Sequence, residues 1–249
     1  YCAINGVLDV QRYVNAYRSY RLVSSPVTDT TSAGDAATDT HGNKVYSINY
    51  LLNNTYLTGT AGTPGGFDKA GNPTLYLFRE NLVPSNSTFT SGNFRGIGYI
   101  SNSPSYTIDN DGQNYSIPVG NGYLFYFRGS RNQKTLTELT TAGAAATDDT
   151  LNAKGLLNQG TITVSHWYTG TPELLYSVTS GNAAIEGFNL VGNPYASSID
   201  WDTFSDSTPT APIYGPGLSP IIALMNPTGQ TSSGNYGYYA PGVGGTNNA

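Results

Sequence analysis

Residues 122–128 read Gly-Tyr-Leu-Phe-Tyr-Phe-Arg, and this short run constrains the fold more than any other. In an extended chain Tyr123, Phe125 and Phe127 point one way and Leu124 and Tyr126 the other. Both faces are apolar, so the segment must be a strand covered on both sides, inside a sheet rather than at its solvated edge. A chain with such a strand needs layers to cover it. Comparable strand signals recur at 20–23, 44–51, 74–78, 96–100, 160–165, 174–178, 188–191 and 221–225, bounded by Gly, Pro, Asn and Ser. That spacing predicts an all-β, β-sandwich-like fold. Helix-like windows such as 134–146 are short, Thr-rich and weakly amphipathic. Residues 109–112, Asp-Asn-Asp-Gly, read as a hairpin turn because Asp and Gly tolerate positive φ.

An internal echo refines this architecture. Residues 20–27 read YRLVSSPV and residues 188–195 read FNLVGNPY, so aromatic, Leu, Val, two small residues and Pro recur in register. The expected structure of each copy is a short strand with Leu22 or Leu190 inward, ended by a turn whose Pro removes a ladder donor. Downstream, 74–78 and 221–225 echo each other in turn, each leading to a Gly- and Tyr-rich stretch. The pattern divides the chain into a lead-in strand and linker (1–19), a first sandwich-like half (20–132), connecting strands and loops (133–186) and a second related half (187–249). The first half continues into strand 123–127, for which the second half has no counterpart before Ala249. The second half is therefore expected to be incomplete, its missing strand supplied by further sequence or by another chain. The opening on Tyr1 within a strand-like run agrees with a piece of a longer protein. Leu22, Leu190, Phe125 and Trp201 are the expected core residues.

Charge narrows function. Lys and Arg number 11 against 16 Asp and Glu, giving a net charge of −5 over 249 residues. So few charges do not suit a helical bundle, and the acidic balance argues against generic polyanion binding, nucleic acid included. The 20 tyrosines argue equally against a disordered chain. No apolar run approaches the ~20 residues of a membrane-spanning helix, so no membrane insertion is expected.

Catalytic and metal chemistry find little footing. Cys2 is the lone thiol, and His41 and His166 are the two imidazoles. His41 reads as solvated in a loop, and His166 as a polar residue ending a strand rather than a general base. There is no G-x-S-x-G elbow. The four glutamates, Glu80, Glu138, Glu173 and Glu186, stand beside turn residues and form no facing acid pair. Asp200 and Asp202 share a face beside Trp201, as a solvated face more readily than as calcium ligands or a glycan contact. Residues 107–114 partly match a calcium loop, but the position of the bidentate acid is Pro118, so the motif fails. The expectation is no enzyme, no cofactor and no metal. Tyr236, Tyr238 and Tyr239 are the candidate glycan or partner contacts.

Four segments resemble, in order, a module common in large secreted cell-surface proteins of Bacteroidota, many of them cargo of the type IX secretion system. They are RYVNAYRSYRLVSSPV (12–27), GNGYLFYFRGSR (120–131), GLLNQGTITV (155–164) and GFNLVGNPYASSIDW (187–201). The last is the most specific, with its aromatic-Asn-Leu-Val-Gly-Asn-Pro-Tyr block followed by Asp200 and Trp201. The resemblance implies an extracellular, cell-surface location and an adhesin-like architecture, and it transfers no site residue. Bacteroidota also O-glycosylate Asp-Ser/Thr followed by an aliphatic residue or Thr, a pattern that marks Thr30, Thr150 and Ser207, all in expected loops. The expected function is a non-enzymatic structural or adhesive surface protein. It would assemble into a filament or layer with copies of itself or with further segments of its parent chain. The alternative is a glycan-binding accessory module of a secreted polysaccharide-degrading protein, with exposed Tyr and Trp as stacking platforms.

Overall fold

The computed structural model describes residues 3–39, 41–81, 85–86, 90–92, 94–97, 117–167, 176, 186–201, 218–219, 221–226 and 235–239. The strands are β1 (Val7–Val14), β2 (Ser19–Val23), β3 (Val27–Thr28), β4 (Val45–Tyr46), β5 (Thr58–Gly59), β6 (Lys69–Ala70), β7 (Leu75–Phe78) and β8 (Ser85–Asn86). There follow β9 (Thr90–Gly92), β10 (Phe94–Gly96), β11 (Ile117–Pro118), β12 (Tyr123–Phe127), β13 (Asp149–Leu157), β14 (Ile222–Asn226) and β15 (Asn235–Tyr239). One short helix, α1 (Leu136–Thr140), and 3-10 turns at Asn49–Asn53 and Thr63–Gly65 complete the inventory of described elements. The fold is all-β.

The largest sheet has the order β2-β12-β7-β10-β9-β8, with antiparallel neighbours throughout. Its interior strand β12 behaves as its sequence demands. Tyr123, Phe125 and Phe127 are fully buried on one face, against Val23, Leu75, Leu77, Ile48, Leu51 and Trp167. On the other face Tyr126 meets Tyr20 at 4.8 Å between ring centroids, and the Arg128 guanidinium stacks 4.8 Å from the Tyr126 ring. Aromatic and cation–π contacts thus cover the second face, where aliphatic packing would serve in an ordinary core.

A second sheet, β1-β13-β3, delivers Val14 and Leu151 into the same core. The β1–β13 pairing runs in unbroken antiparallel register from Val7 opposite Leu156 to Val14 opposite Asp149. This sheet joins strands from 1–19, 20–132 and 133–186. The ribbon β14–β15 is a separate antiparallel pair.

Several expectations require correction. Leu22 is half-buried and lies opposite Leu124, on the face away from the main core; Val23, 6% exposed, takes the inward place. The period of two makes this a one-residue flip of the expected orientation. Leu190 and Trp201 are likewise only half-buried. In 44–51 only Val45–Tyr46 is strand, because the chain then coils into the Asn49–Asn53 turn, which buries Leu51. Segment 160–165 joins no ladder: Asn121 donates from its side chain to the Ser165 carbonyl at 2.6 Å, and Ile162 packs against the core. The 134–146 window does hold a helix. Its start is fixed by a capping box in which Glu138 N–H donates to Thr135 Oγ1 and Thr135 N–H donates to Glu138 Oε2. Segment 174–178 lies outside the described residues except for Tyr176.

The second echo block forms no strand either. Residues 188–195 run as irregular chain, bridged to the first block's neighbourhood by Val191 opposite Asn121 and by Gly192 N–H donating to the Gly120 carbonyl at 2.8 Å. The two Pro-containing turns meet across Asn158. Its side-chain amide donates to the Ser25 and Pro194 carbonyls at 3.4 and 2.9 Å, and its Oδ1 accepts from Thr28 Oγ1 at 2.6 Å.

Candidate functional site

The β14–β15 ribbon carries the aromatic residues singled out in the sequence. Strand alternation puts Tyr236 and Tyr238 on one face, opposite Met225 and Ala223, whereas Tyr239 points to the other face opposite Ile222. Tyr236 and Tyr238 are 40% and 57% exposed and Tyr239 is half-buried, so the trio is a pair plus one. Burial and the neighbouring Tyr238 raise the Tyr236 hydroxyl above the ordinary tyrosine value. On the opposite face Leu224 stands 56% exposed across from Gly237, which offers no side chain to cover it.

Met225 also forms one wall of a groove of about 310 Å³ bounded by β1 and β2. Arg12, Tyr13, Asn15, Arg21 and Leu22 are among its other lining residues. Arg12 lies opposite Leu151 in the β1–β13 register, on the face that carries Leu8, Val10 and Val14. Beneath it the Tyr50 and Tyr123 hydroxyls share a 2.5 Å hydrogen bond. Burial pushes Tyr50 up to about 12, while its bond to Tyr123 and the charge of Arg12 hold it back. Burial, and after it the charge of Arg12, keep Arg21 below the ordinary arginine value.

No family model, curated protein or solved structure matches the chain.

The other residues singled out in the sequence are dispersed over the chain. Thr30 is exposed, at a bridge to Ala36. Thr150 is not in a loop: it is half-buried within β13, opposite Tyr13, because Asp149 and Thr150 extend the ladder that Val14 and Tyr13 begin. Ser207, Cys2, Asp202, Glu173 and the 107–114 loop lie outside the described residues. His41 is exposed in its turn, where Asp39 Oδ1 accepts from the backbone N–H groups of His41 and Asn43. His166 belongs to no strand and is buried, its Nε2 at 2.9 Å from Asn189 Oδ1. Glu80, expected beside an open turn, is buried, and its Oε1 accepts from Gly187 N–H at 3.2 Å. Asp200 is exposed. Among the described residues no group of three or more His, Cys, Asp or Glu side chains could hold a metal ion, and no helix is long and apolar enough to cross a membrane.

Sequence reasoning passed over Arg12 and Arg21. The signal was present in residues 7–14, VLDVQRYV, where alternation sets Arg12 on one face with Leu8, Val10 and Val14. A cation in an inward-facing series needs an explanation, and the groove supplies its setting.

Proposed function

We propose that the chain is a non-enzymatic, extracellular structural or adhesive protein of the Bacteroidota surface type, associating with copies of itself or of its parent chain into a filament or layer. One observation carries this reading. The β14–β15 ribbon contains no charged residue in 221–226 or 235–239, yet exposes Ile221, Leu224 and Tyr238 to between 55% and 57%. Exposed strand pairs of soluble proteins are commonly guarded by Lys, Pro or inward charges, and uncovered apolar faces mark contact surfaces. The low charge of the whole chain reduces repulsion between neighbouring copies.

Light scattering and micrographs of the purified chain over a concentration series test the proposal. Concentration-dependent oligomers or fibrils that Leu224→Asp abolishes support it. A chain that stays monomeric at every concentration, or oligomers that Leu224→Asp leaves intact, overturns it.

A glycan-binding accessory role is the second reading, favoured by the pairing of Tyr236 and Tyr238 on the same ribbon face as Met225, which lines the groove. Under this reading Tyr238→Ala weakens retention on a polysaccharide column and leaves the oligomeric state unchanged.

A further inference from the structure

We propose that Asn5 is a covalent modification site, converting without an enzyme to aspartate and isoaspartate through a succinimide closed by the Gly6 backbone nitrogen. The inference concerns the lead-in to β1, apart from the exposed ribbon, and it stands whether or not copies of the chain assemble.

The dipeptide Asn-Gly occurs twice in the chain, at 5–6 and at 121–122. It is reactive because glycine has no Cβ to crowd the attacking nitrogen. The fold treats the two copies in opposite ways. Asn5 and Gly6 are both exposed. Among the described residues neither the Asn5 side-chain amide nor the Gly6 N–H has a hydrogen-bond partner. A Cβ on Gly6 would meet nothing within 4 Å, so the ring has room to close, and the φ of +104° there suits glycine alone.

Asn121 has none of this freedom. It is 4% exposed, and its Nδ2 donates to the Pro118 and Ser165 carbonyls at 3.1 and 2.6 Å. Its own carbonyl accepts from the Tyr46 hydroxyl at 2.7 Å. A Cβ on Gly122 would stand 3.2 Å from Leu190 Cγ and 3.4 Å from the Val23 carbonyl oxygen. Ring closure at Asn121 must release the leaving nitrogen from both carbonyls, so it proceeds only from locally opened chains.

The reaction balances with water and involves no oxidant or reductant. The Gly6 nitrogen bonds to Asn5 Cγ, the Cγ–Nδ2 bond breaks, and Nδ2 leaves as ammonia with the Gly6 proton. Water then opens the imide. Attack at Cγ gives aspartate, and attack at the backbone carbonyl carbon gives isoaspartate, whose main chain runs through the former side chain. Either product adds a negative charge. Isoaspartate also lengthens the backbone between two anchored points. On one side Ile4 N–H donates to Gln159 Oε1 at 2.8 Å and Gln159 Nε2 donates to the Ile4 carbonyl at 2.7 Å. On the other Val7 opens the β1–β13 ladder opposite Leu156.

Incubating the whole folded chain at mildly alkaline pH, beside the free peptide AINGVLD as a clock, tests the proposal. Peptide mass mapping reads the change from amide to acid, and carboxyl methylation reads isoaspartate. Conversion of Asn5 should keep within about tenfold of the peptide, whereas Asn121 should lag Asn5 by about tenfold or more. Asn5→Gln, whose longer side chain needs a larger and slower-forming ring, should abolish isoaspartate in this segment. Conversion of Asn5 more than about tenfold slower than the peptide, or no faster than that of Asn121, overturns the proposal. So does isoaspartate that persists in this segment of the Asn5→Gln chain.

Discussion

Ser24 and Gly192 occupy equivalent places in the two Leu-Val-turn-Pro blocks, and they are pressed together: a Cβ on Gly192 would stand 2.3 Å from Ser24 Cβ. The Ser24 hydroxyl meanwhile donates to the Asn193 carbonyl at 2.9 Å. One of the two copies must therefore lack a side chain at this position. Gly192→Ala should destabilise the chain by about 1–3 kcal/mol, the usual cost of overpacking where neither partner is flexible. Ser24→Gly in the same chain should recover part of the loss, and urea unfolding of the single and double variants measures the coupling.

Asn158 joins both turns at once and is 4% exposed. Besides its side-chain bonds to Ser25, Pro194 and Thr28, its backbone N–H donates to the Pro26 carbonyl at 3.1 Å. Asn158→Ala strands two carbonyls and a buried hydroxyl, at a cost of about 2–4 kcal/mol. Asn158→Asp should fare no better, since a carboxylate cannot donate to either carbonyl and its charge would be buried. A shift in the denaturant midpoint at unchanged slope is the expected signature.

These contacts explain what the sequence could and could not disclose. Strands β2, β7, β12 and β14 announce themselves because dense apolar and aromatic residues make extended pairing the favoured use of each segment. The longest pairing, β1 with β13, stayed hidden: of the inward positions of β13, Leu151, Ala153 and Gly155, only Leu151 is large, so the run carries little hydrophobic signal. Helix α1 rests on one capping box and one buried residue, Leu139, too little for periodicity to register. The echo was legible as kinship between two segments. That the segments touch rests on Ser24 bonding Asn193 and on Asn158 bonding both turns, partners that no spacing rule predicts. The groove depended on Arg12 and Arg21 meeting from adjacent strands of different sheets.

Core assignments diverge in a measurable way. Phe125 is fully buried between Leu75 and Arg21 in register, with the Phe127 ring 6.0 Å away, so Phe125→Ala should cost about 3–5 kcal/mol. Leu190 is half-buried, its Cγ lying 3.2 Å from where a Cβ on Gly122 would stand. Leu190→Ala should therefore cost less, about 1–2 kcal/mol, because part of its surface is already in water. Equal losses in thermal unfolding would show that the second block contributes a core of its own.

Alkaline pH should find the buried tyrosines. Tyr50 is raised to about 12, and Tyr46 and Tyr123 are raised well above the ordinary tyrosine value, in each case chiefly because burial disfavours the phenolate. A tyrosine with a folded pKa above its unfolded value of 10.0 keeps its proton more tightly in the native chain. Between those two values the unfolded state binds fewer protons, so unfolding free energy falls as pH rises. Stability from these groups is intact below pH 10, and the part that Tyr50 supplies is lost as pH climbs through about 12. Tyrosinate absorbance followed with pH should show a first set of tyrosines ionising reversibly in the folded chain. A second set should appear only together with loss of the near-ultraviolet dichroism. Tyr50→Phe should weaken this alkaline transition, since it removes one of the raised hydroxyls while keeping the ring; a full tyrosine titration with no accompanying unfolding would show that the Tyr50–Tyr123 pair is open to solvent.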